Sequence, residues 1–369
     1  MNSKKIRIPW WEPIIKEEEY KFIKQALDNN FPNEGPLTEK FEKEICKLIG
    51  CKHAVATTNG TAAMFLSLKA FGIGYGDEVI VPDITFIATA NAVEMAGARP
   101  ILVDIHPDTL TISPEKIEEV ITKKTKAIIP VHVSGRGANM DSITEIAKKH
   151  NLKIVEDAAE AFMSKHKGKF LGTIGKTGCF SFSPHKTLTT GQGGMIITDD
   201  SEIHVRLREL KDQGRPKRGT GGDDIHDALG YNFKFTDLQA AVGLGQLKYL
   251  KPRMERIKRM NKLYSENLGG PKGIKLFKFD LSGGEQPLWT DAIVEKRDKL
   301  DKYLLSNGME CRRYWFPVHT QRPYKLEDDN FSNSTKLSKK ALWLPSAYTL
   351  SDGDVLEVCS HIKKFLKDN

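Results

Sequence analysis

Between about residue 50 and residue 200, short apolar runs alternate with stretches of helical periodicity. The runs fall at residues 78–81, 99–104, 126–133, 152–156, 178–182 and 194–198. Turn-forming residues follow each run, and a helix-period stretch follows most of them. This is the pattern of a largely parallel, doubly wound α/β sheet covered on both faces. Residues 141–151 illustrate the helical stretches: Asp141 can cap, Ile143 and Ile146 share a face, and Lys148 and Lys149 lie in the last turn. From about Thr236 the pattern becomes long helix, with Leu238, Ala241, Val242, Leu244, Leu247 and Leu250 mostly three or four apart. Pro252 interrupts it or opens a second helical stretch reaching Asn267. Beyond Gly269 and Gly270 come short strand-like pieces, a helix near residues 296–307 and a final helix at 352–367. The chain therefore divides, by this pattern, into a large domain over 30–250 and a smaller C-terminal α+β domain over 251–369, with residues 1–29 packing nearby.

The composition of the 369 residues, 39% hydrophobic and 28% charged, excludes disordered, collagenous and disulfide-scaffold chains. A net charge of +8 raises nucleic acid, membrane surface and small anions as partners. No block of five basic residues occurs, and many lysines alternate with glutamates in helical stretches, which argues against nucleic acid. The five cysteines are scattered without a CxxC, so neither disulfides nor a metal site is expected. No leader-like apolar segment opens the chain, and no run approaches the roughly 18 residues of a spanning helix. The expected setting is cytoplasmic, with no membrane partner.

Open α/β sheets place ligands beyond the carboxyl ends of their strands, which directs attention to four stretches. Thr57-Thr58-Asn59-Gly60-Thr61-Ala62-Ala63 leads small and hydroxylated residues into a helix. It reads either as an anion site at a helix N-terminus or as an ordinary cap. In Ile154-Val155-Glu156-Asp157-Ala158-Ala159-Glu160, three carboxylates follow a buried-type strand. Asp157 can meet a cationic ligand there, or the acids can cap the next element. In Ser181-Phe182-Ser183-Pro184-His185-Lys186, a lysine follows a strand and precedes the Gly-rich turn Gly191-Gln192-Gly193-Gly194. A lysine at such a crowded place can be a nucleophile toward carbonyls, whereas most lysines are simply solvated. In Gly230-Tyr231-Asn232-Phe233, Asn232 lies between aromatics ahead of Thr236 or Asp237, either of which can cap the long helix. An anion-binding turn, an acid and a strand-end lysine on one sheet are what pyridoxal 5'-phosphate (PLP) requires for its phosphate, pyridine nitrogen and aldehyde.

At these motifs the chain resembles the fold type I, PLP-dependent nucleotide-sugar aminotransferases of the perosamine-synthase-like kind. The likeness runs from Asn33-Glu34-Gly35-Pro36 through Asn59-Gly60-Thr61-Ala62-Ala63, Gly76-Asp77-Glu78-Val79-Ile80-Val81-Pro82 and Thr85-Phe86-Ile87-Ala88-Thr89-Ala90-Asn91-Ala92. It continues through Glu156-Asp157-Ala158-Ala159-Glu160-Ala161, Ser181-Phe182 with Lys186, and Gly230-Tyr231-Asn232 to Pro317-Val318-His319. The resemblance implies a large domain with a mostly parallel mixed sheet. It implies that Lys186 bonds to the cofactor and shuttles protons, and that Asp157 pairs with the pyridinium nitrogen. Phe86 would stack on the ring and Glu160 would sit beside it. Gly60, Thr61, Ala62 and Ser181 would hold the phosphate. Asn232 would reach the phosphate of a neighbouring subunit in a homodimer, and His319 would lie near the sugar. The implied reaction moves the amine of glutamate, or of another amino acid, to C4 of a nucleotide-linked 4-keto-6-deoxyhexose, in lipopolysaccharide or other glycan synthesis. Related 3-dehydratases carry His in place of the lysine, whereas here His185 precedes a retained Lys186. That dehydratase chemistry, amination at C3 and a non-nucleotide keto-sugar are the alternatives. A nicotinamide dehydrogenase is disfavoured because no GxGxxG is present. Phe162, Ser183 and Gln192 depart from the family pattern and bear on substrate rather than cofactor.

Overall fold

Six apolar runs become six strands, joined by a seventh at one edge that their pattern does not mark. The structure, a computed structural model, describes residues 6–216 and 226–368. The start of the 1–29 stretch and residue 369 lie outside the described residues. In the N-terminal two thirds the strands are β1 (His53–Thr57), β2 (Glu78–Pro82), β3 (Arg99–Val103), β4 (Thr125–Ile128) and β5 (Lys153–Asp157). A two-strand ribbon, β6 (Lys165–His166) and β7 (Lys169–Phe170), precedes β8 (Thr177–Ser181) and β9 (Gly194–Thr198). The large sheet has the order β1-β9-β8-β5-β4-β2-β3. It is parallel from β3 to β8, and β9 runs antiparallel to both β8 and β1.

Period-two alternation explains why these strands read as continuous apolar runs. Ile80, Ile154, Phe180 and Ile197 point into one core, with the helices Pro36–Ile49, Met140–Lys149 and Asp237–Leu247. Their neighbours Val79, Val155, Cys179 and Ile196 point into the other, with the helices Gly60–Ala70, Ala88–Met95 and Ser201–Lys211. Both faces are buried, so both sets of positions must be apolar.

Downstream, β10 (Ile274–Leu276), β11 (Thr290–Val294), β12 (Arg312–Arg313) and β13 (Ala341–Leu344) form an antiparallel sheet in the order β10-β11-β13-β12. A third core joins it to the helices Leu250–Leu268, Arg297–Ser306 and Asp352–Asp368. The N-terminal segment enters this core through Ile8, Trp10 and Trp11, and the N–H of Ile8 donates to the carbonyl of Gly308 at 3.0 Å. The two sheets meet at Gly135, where φ is +96° and a Cβ would lie 2.0 Å from the carbonyl oxygen of Gln286, so only glycine fits. Among the described residues, no helix is long and apolar enough to cross a membrane.

One local expectation changes, and one open choice is decided. Asp141 does not cap its helix: the Asn139 side chain accepts from the N–H of Ser142, and Asp141 faces Lys167 instead. Thr236, not Asp237, caps Asp237–Leu247, with Gln239 closing the capping box. Pro252 sits in the first turn of Leu250–Leu268, where its missing N–H costs no hydrogen bond.

Candidate active site

The carboxyl edge of the large sheet opens onto a cavity of about 440 Å³ that gathers residues from eight segments of the chain. After β1, Asn59 caps the helix Gly60–Ala70, its side chain accepting from the N–H of Ala62 at 2.8 Å. The N–H groups of Gly60 and Thr61 lie in the first turn, where a helix has no acceptors of its own. Gly60 packs so closely on β8 that a Cβ there would stand 3.1 Å from that of Ser181. Gly60, Thr61 and Ser181 all line the cavity. Ala62 is buried behind them.

The three carboxylates after β5 have three different surroundings. Glu156 accepts from the N–H groups of Gly172, Ile174 and Gly175 and from His132, and so fixes a turn. Asp157, 5% exposed, accepts from the Thr89 hydroxyl at 2.8 Å and the Ala159 N–H at 3.1 Å. Burial pushes its carboxyl above the usual range, opposed by Thr89, Ala159 and Lys186. Glu160 is raised by burial too, opposed first by Lys186. It accepts from the Ser134 N–H at 3.0 Å and from the Lys186 ammonium at 3.2 Å. Ser134 has φ +53°, a left-handed conformation rare outside glycine, which aims its N–H at Glu160. Its hydroxyl donates to Asp291 on β11 at 2.8 Å and accepts from the indole N–H of Trp343 at 3.0 Å.

Lys186 follows β8 and places its ammonium 5.2 Å from the ring centre of Trp289 as well as against Glu160. His185 also lines the cavity, but its ring lies 5.4 Å from that of Trp10. The lysine is therefore the residue coupled to the acids. Phe86, 55% exposed, stands at the cavity wall after β2.

Two expected residues lie elsewhere. His319 is fully buried, not among the cavity-lining residues. Its Nδ1 meets Asp83 at 2.7 Å, its Nε2 meets Asp328 at 3.0 Å, and its ring stacks on Phe331 at 4.4 Å. Asn232 is exposed, pairs through its backbone with Asp212, and is outside the cavity of its own subunit. Of the three departures from the family pattern, Ser183 and Gln192 line the cavity, while Phe162 is buried edge-on against Phe180 and Phe182.

The sequence motifs did not mark Trp289, Arg312, Trp315 and Trp343, all of which line the cavity from the second sheet and its loops. The one available signal was tryptophan itself. The chain has five, and all of them join one ring cluster: Trp10, Trp11, Trp289, Trp315 and Trp343. A different cavity, of about 360 Å³, lies around Lys176 and Asp199 at the opposite edge of the sheet, away from these groups.

The DegT/DnrJ/EryC1/StrS aminotransferase family model matches residues 13–363. The chain is 36% identical over 366 residues to GDP-perosamine synthase of Escherichia coli O157:H7, covering 98% of this chain and 99% of that one. Among solved structures, a DegT DnrJ EryC1 StrS aminotransferase from Brucella abortus superposes with a TM-score of 0.87 at 32% identity, over 94% of this chain and 95% of that one. The PLP form of Spr1654 from Streptococcus pneumoniae superposes with a TM-score of 0.92 at 26% identity, over 98% and 99% of the two chains.

Proposed function

This chain belongs to the DegT/DnrJ/EryC1/StrS aminotransferase family and is a PLP-dependent aminotransferase, and from that premise we propose that it transfers the amino group of glutamate to C4 of a nucleotide-linked 4-keto-6-deoxyhexose. The observation that carries the site assignment is the coupling of Lys186 to Glu160 beside the buried Asp157. The residues fit the cofactor. The Gly60 and Thr61 N–H groups and the Ser181 hydroxyl form a donor set for a phosphate, in a space that a side chain at Gly60 would narrow. Ala62 contributes small size, because its own N–H is taken by Asn59. Asp157 would pair with the pyridinium nitrogen, whose charge would offset the burial that raises this carboxyl. PLP, when bound, supplies an aldehyde that takes up the amine and a ring that withdraws electrons from the reacting carbon.

The protein's own groups then do the proton work. Lys186 Nζ would carry the proton from the donor's α carbon to the cofactor in the first half of the reaction, and from the cofactor to the sugar carbon that receives the amine in the second. Glu160 holds that amine in place, and Ser134 holds Glu160. Phe86, at the exposed cavity wall, would stack on the cofactor ring. His319, clamped between Asp83 and Asp328, acts by positioning the segment that carries Thr85 and Phe86. Asn232 serves the phosphate site of a second copy, so that the working unit is a homodimer acting in the cytoplasm on amino-sugar precursors of a lipopolysaccharide or other glycan.

The name of the Escherichia coli relative supports a GDP-linked substrate and the C4 position. The retained Lys186 disfavours the dehydratase alternative. Incubation with glutamate and GDP- or TDP-linked 4-keto-6-deoxyhexoses, with the product weighed and its amine located by NMR, tests the reading. Replacement of the keto oxygen by an amine at C4 is expected; loss of water, or an amine at C3, overturns it.

A further inference from the structure

The cavity contains one cation that the proposed chemistry leaves unused. Arg312 on β12 is half-buried, and its guanidinium lies 4.7 Å from the ring centre of Trp10 and 5.8 Å from that of Trp343. Among the described residues it makes neither an ion pair nor a hydrogen bond. The nearby acids are committed elsewhere: Glu160 to Lys186 and Ser134, Glu310 to the backbone N–H of Trp10, and Asp157 to Thr89 and Ala159. Burial lowers the Arg312 pKa, opposed first by Glu160, yet guanidinium remains charged in proteins. Trp289, which also lines the cavity, leaves its buried indole N–H without an acceptor. This wall of the site therefore carries donors and positive charge with no protein anion to meet them.

We propose that Arg312, stacked against Trp10 and Trp343, binds the carboxylate of the amino donor and so selects an amino acid for the first half of the reaction. The proposal rests on the aminotransferase reading but not on the identity of the sugar. Two anions enter this enzyme, the donor's carboxylate and the nucleotide diphosphate. The carboxylate is attached directly to the carbon that carries the amine. The diphosphate hangs from C1, on the far side of a sugar ring whose C4 is the reacting atom. Arg312 lies over Trp343, whose ring is 4.8 Å from that of Trp289, and Trp289 is the ring beside the Lys186 ammonium, so Arg312 lies at the reacting end of the cavity. That position suits the carboxylate. The two indoles hold the guanidinium in place, and its planar fork matches a carboxylate with two parallel hydrogen bonds.

The test uses the full-length holoenzyme, and its first two titrations need no sugar. The PLP form is titrated with glutamate while cofactor absorbance reports conversion to the amine form, and separately with glutarate, which carries carboxylates but no amine and only perturbs the spectrum. In Arg312→Gln both saturation constants should rise by about 10- to 100-fold. Arg312→Lys, which keeps the charge and loses the fork, should fall in between. The keto-sugar constant, measured on the amine form, should move less than about threefold. An unchanged cofactor spectrum and melting temperature identify variants that are folded and loaded. Glutamate and glutarate constants within about twofold of wild type, or a keto-sugar constant that shifts as much as theirs, would overturn the proposal. If no keto-sugar is aminated, the substrate reading fails while the glutamate and glutarate titrations still decide the role of Arg312.

Discussion

Single residues at this site take their roles from their neighbours more than from their own chemistry. Glu156, Asp157 and Glu160 are alike in sequence, and only their partners separate a turn anchor from two acids that face the cavity. Replacing Lys186 by Ala should abolish both transamination and the visible absorbance of the lysine-bound cofactor; an unchanged spectrum after PLP addition would remove Lys186 from its assigned role. Asp157→Asn keeps the shape and loses the charge proposed to face the pyridine nitrogen. Its turnover should fall about a thousandfold, or about 4 kcal/mol of barrier, and near-normal turnover would refute the pairing. These two residues were legible because polar side chains ending buried strands have few structural reasons to be there. Arg312 was not, because its setting is made by Trp10 and Trp343, far away in the chain. Ser134 was hidden for a related reason: its importance lies in its left-handed backbone, which no side-chain pattern announces.

At the scale of elements, capping reaches between helices that are remote in sequence. Asp237, 1% exposed, accepts from the N–H groups of Gly35, Leu37 and Thr38 and from the Thr38 hydroxyl, and so caps the start of Pro36–Ile49. Asp237→Ala would strand four buried donors and should cost about 3 kcal/mol or more, whereas Thr236→Ala should cost about 1 kcal/mol. Denaturant midpoints at constant slope would measure both. On Ser201–Lys211, His204 stacks on His53 with ring centres 4.3 Å apart, and burial followed by the charge of Arg208 lowers its pKa from 6.5 to about 4. A group so depressed binds its proton more readily in the unfolded chain. Its contribution to stability is therefore intact above pH 6.5 and is lost as the pH falls from there toward 4. His204→Gln should flatten the stability profile in that window, which urea titrations at several pH values would reveal. The helices and central strands were readable from periodicity, since both cores impose it. The edge strand β1 was not, because the short run His53–Thr57 gains its strand character from pairing with β9.

For the whole molecule, the alternation of elements fixed the α/β class, while the meeting of the two sheets depended on contacts that no local pattern encodes. Arg136, stacked on Phe277 and Phe279, pairs with Asp291 across that meeting, and Ser134 ties the same carboxylate to Glu160. Assembly is open to a direct test. If Asn232 serves the site of the other subunit, Asn232→Ala and Lys186→Ala will each be inactive as pure proteins. Mixed and reassociated in equal amounts, they should recover about a quarter of wild-type activity, because each heterodimer holds one intact site. No recovery would mean that Asn232 acts within its own subunit or not at the site. The gathering of all five tryptophans beside Lys186 has an optical consequence. With the cofactor at the proposed site, nearly all ultraviolet-excited emission of the chain would originate next to it, where its absorption overlaps that emission. Energy transfer should therefore darken the protein as PLP loads and restore its brightness on removal, so the unmodified chain carries its own fluorescent gauge of cofactor occupancy.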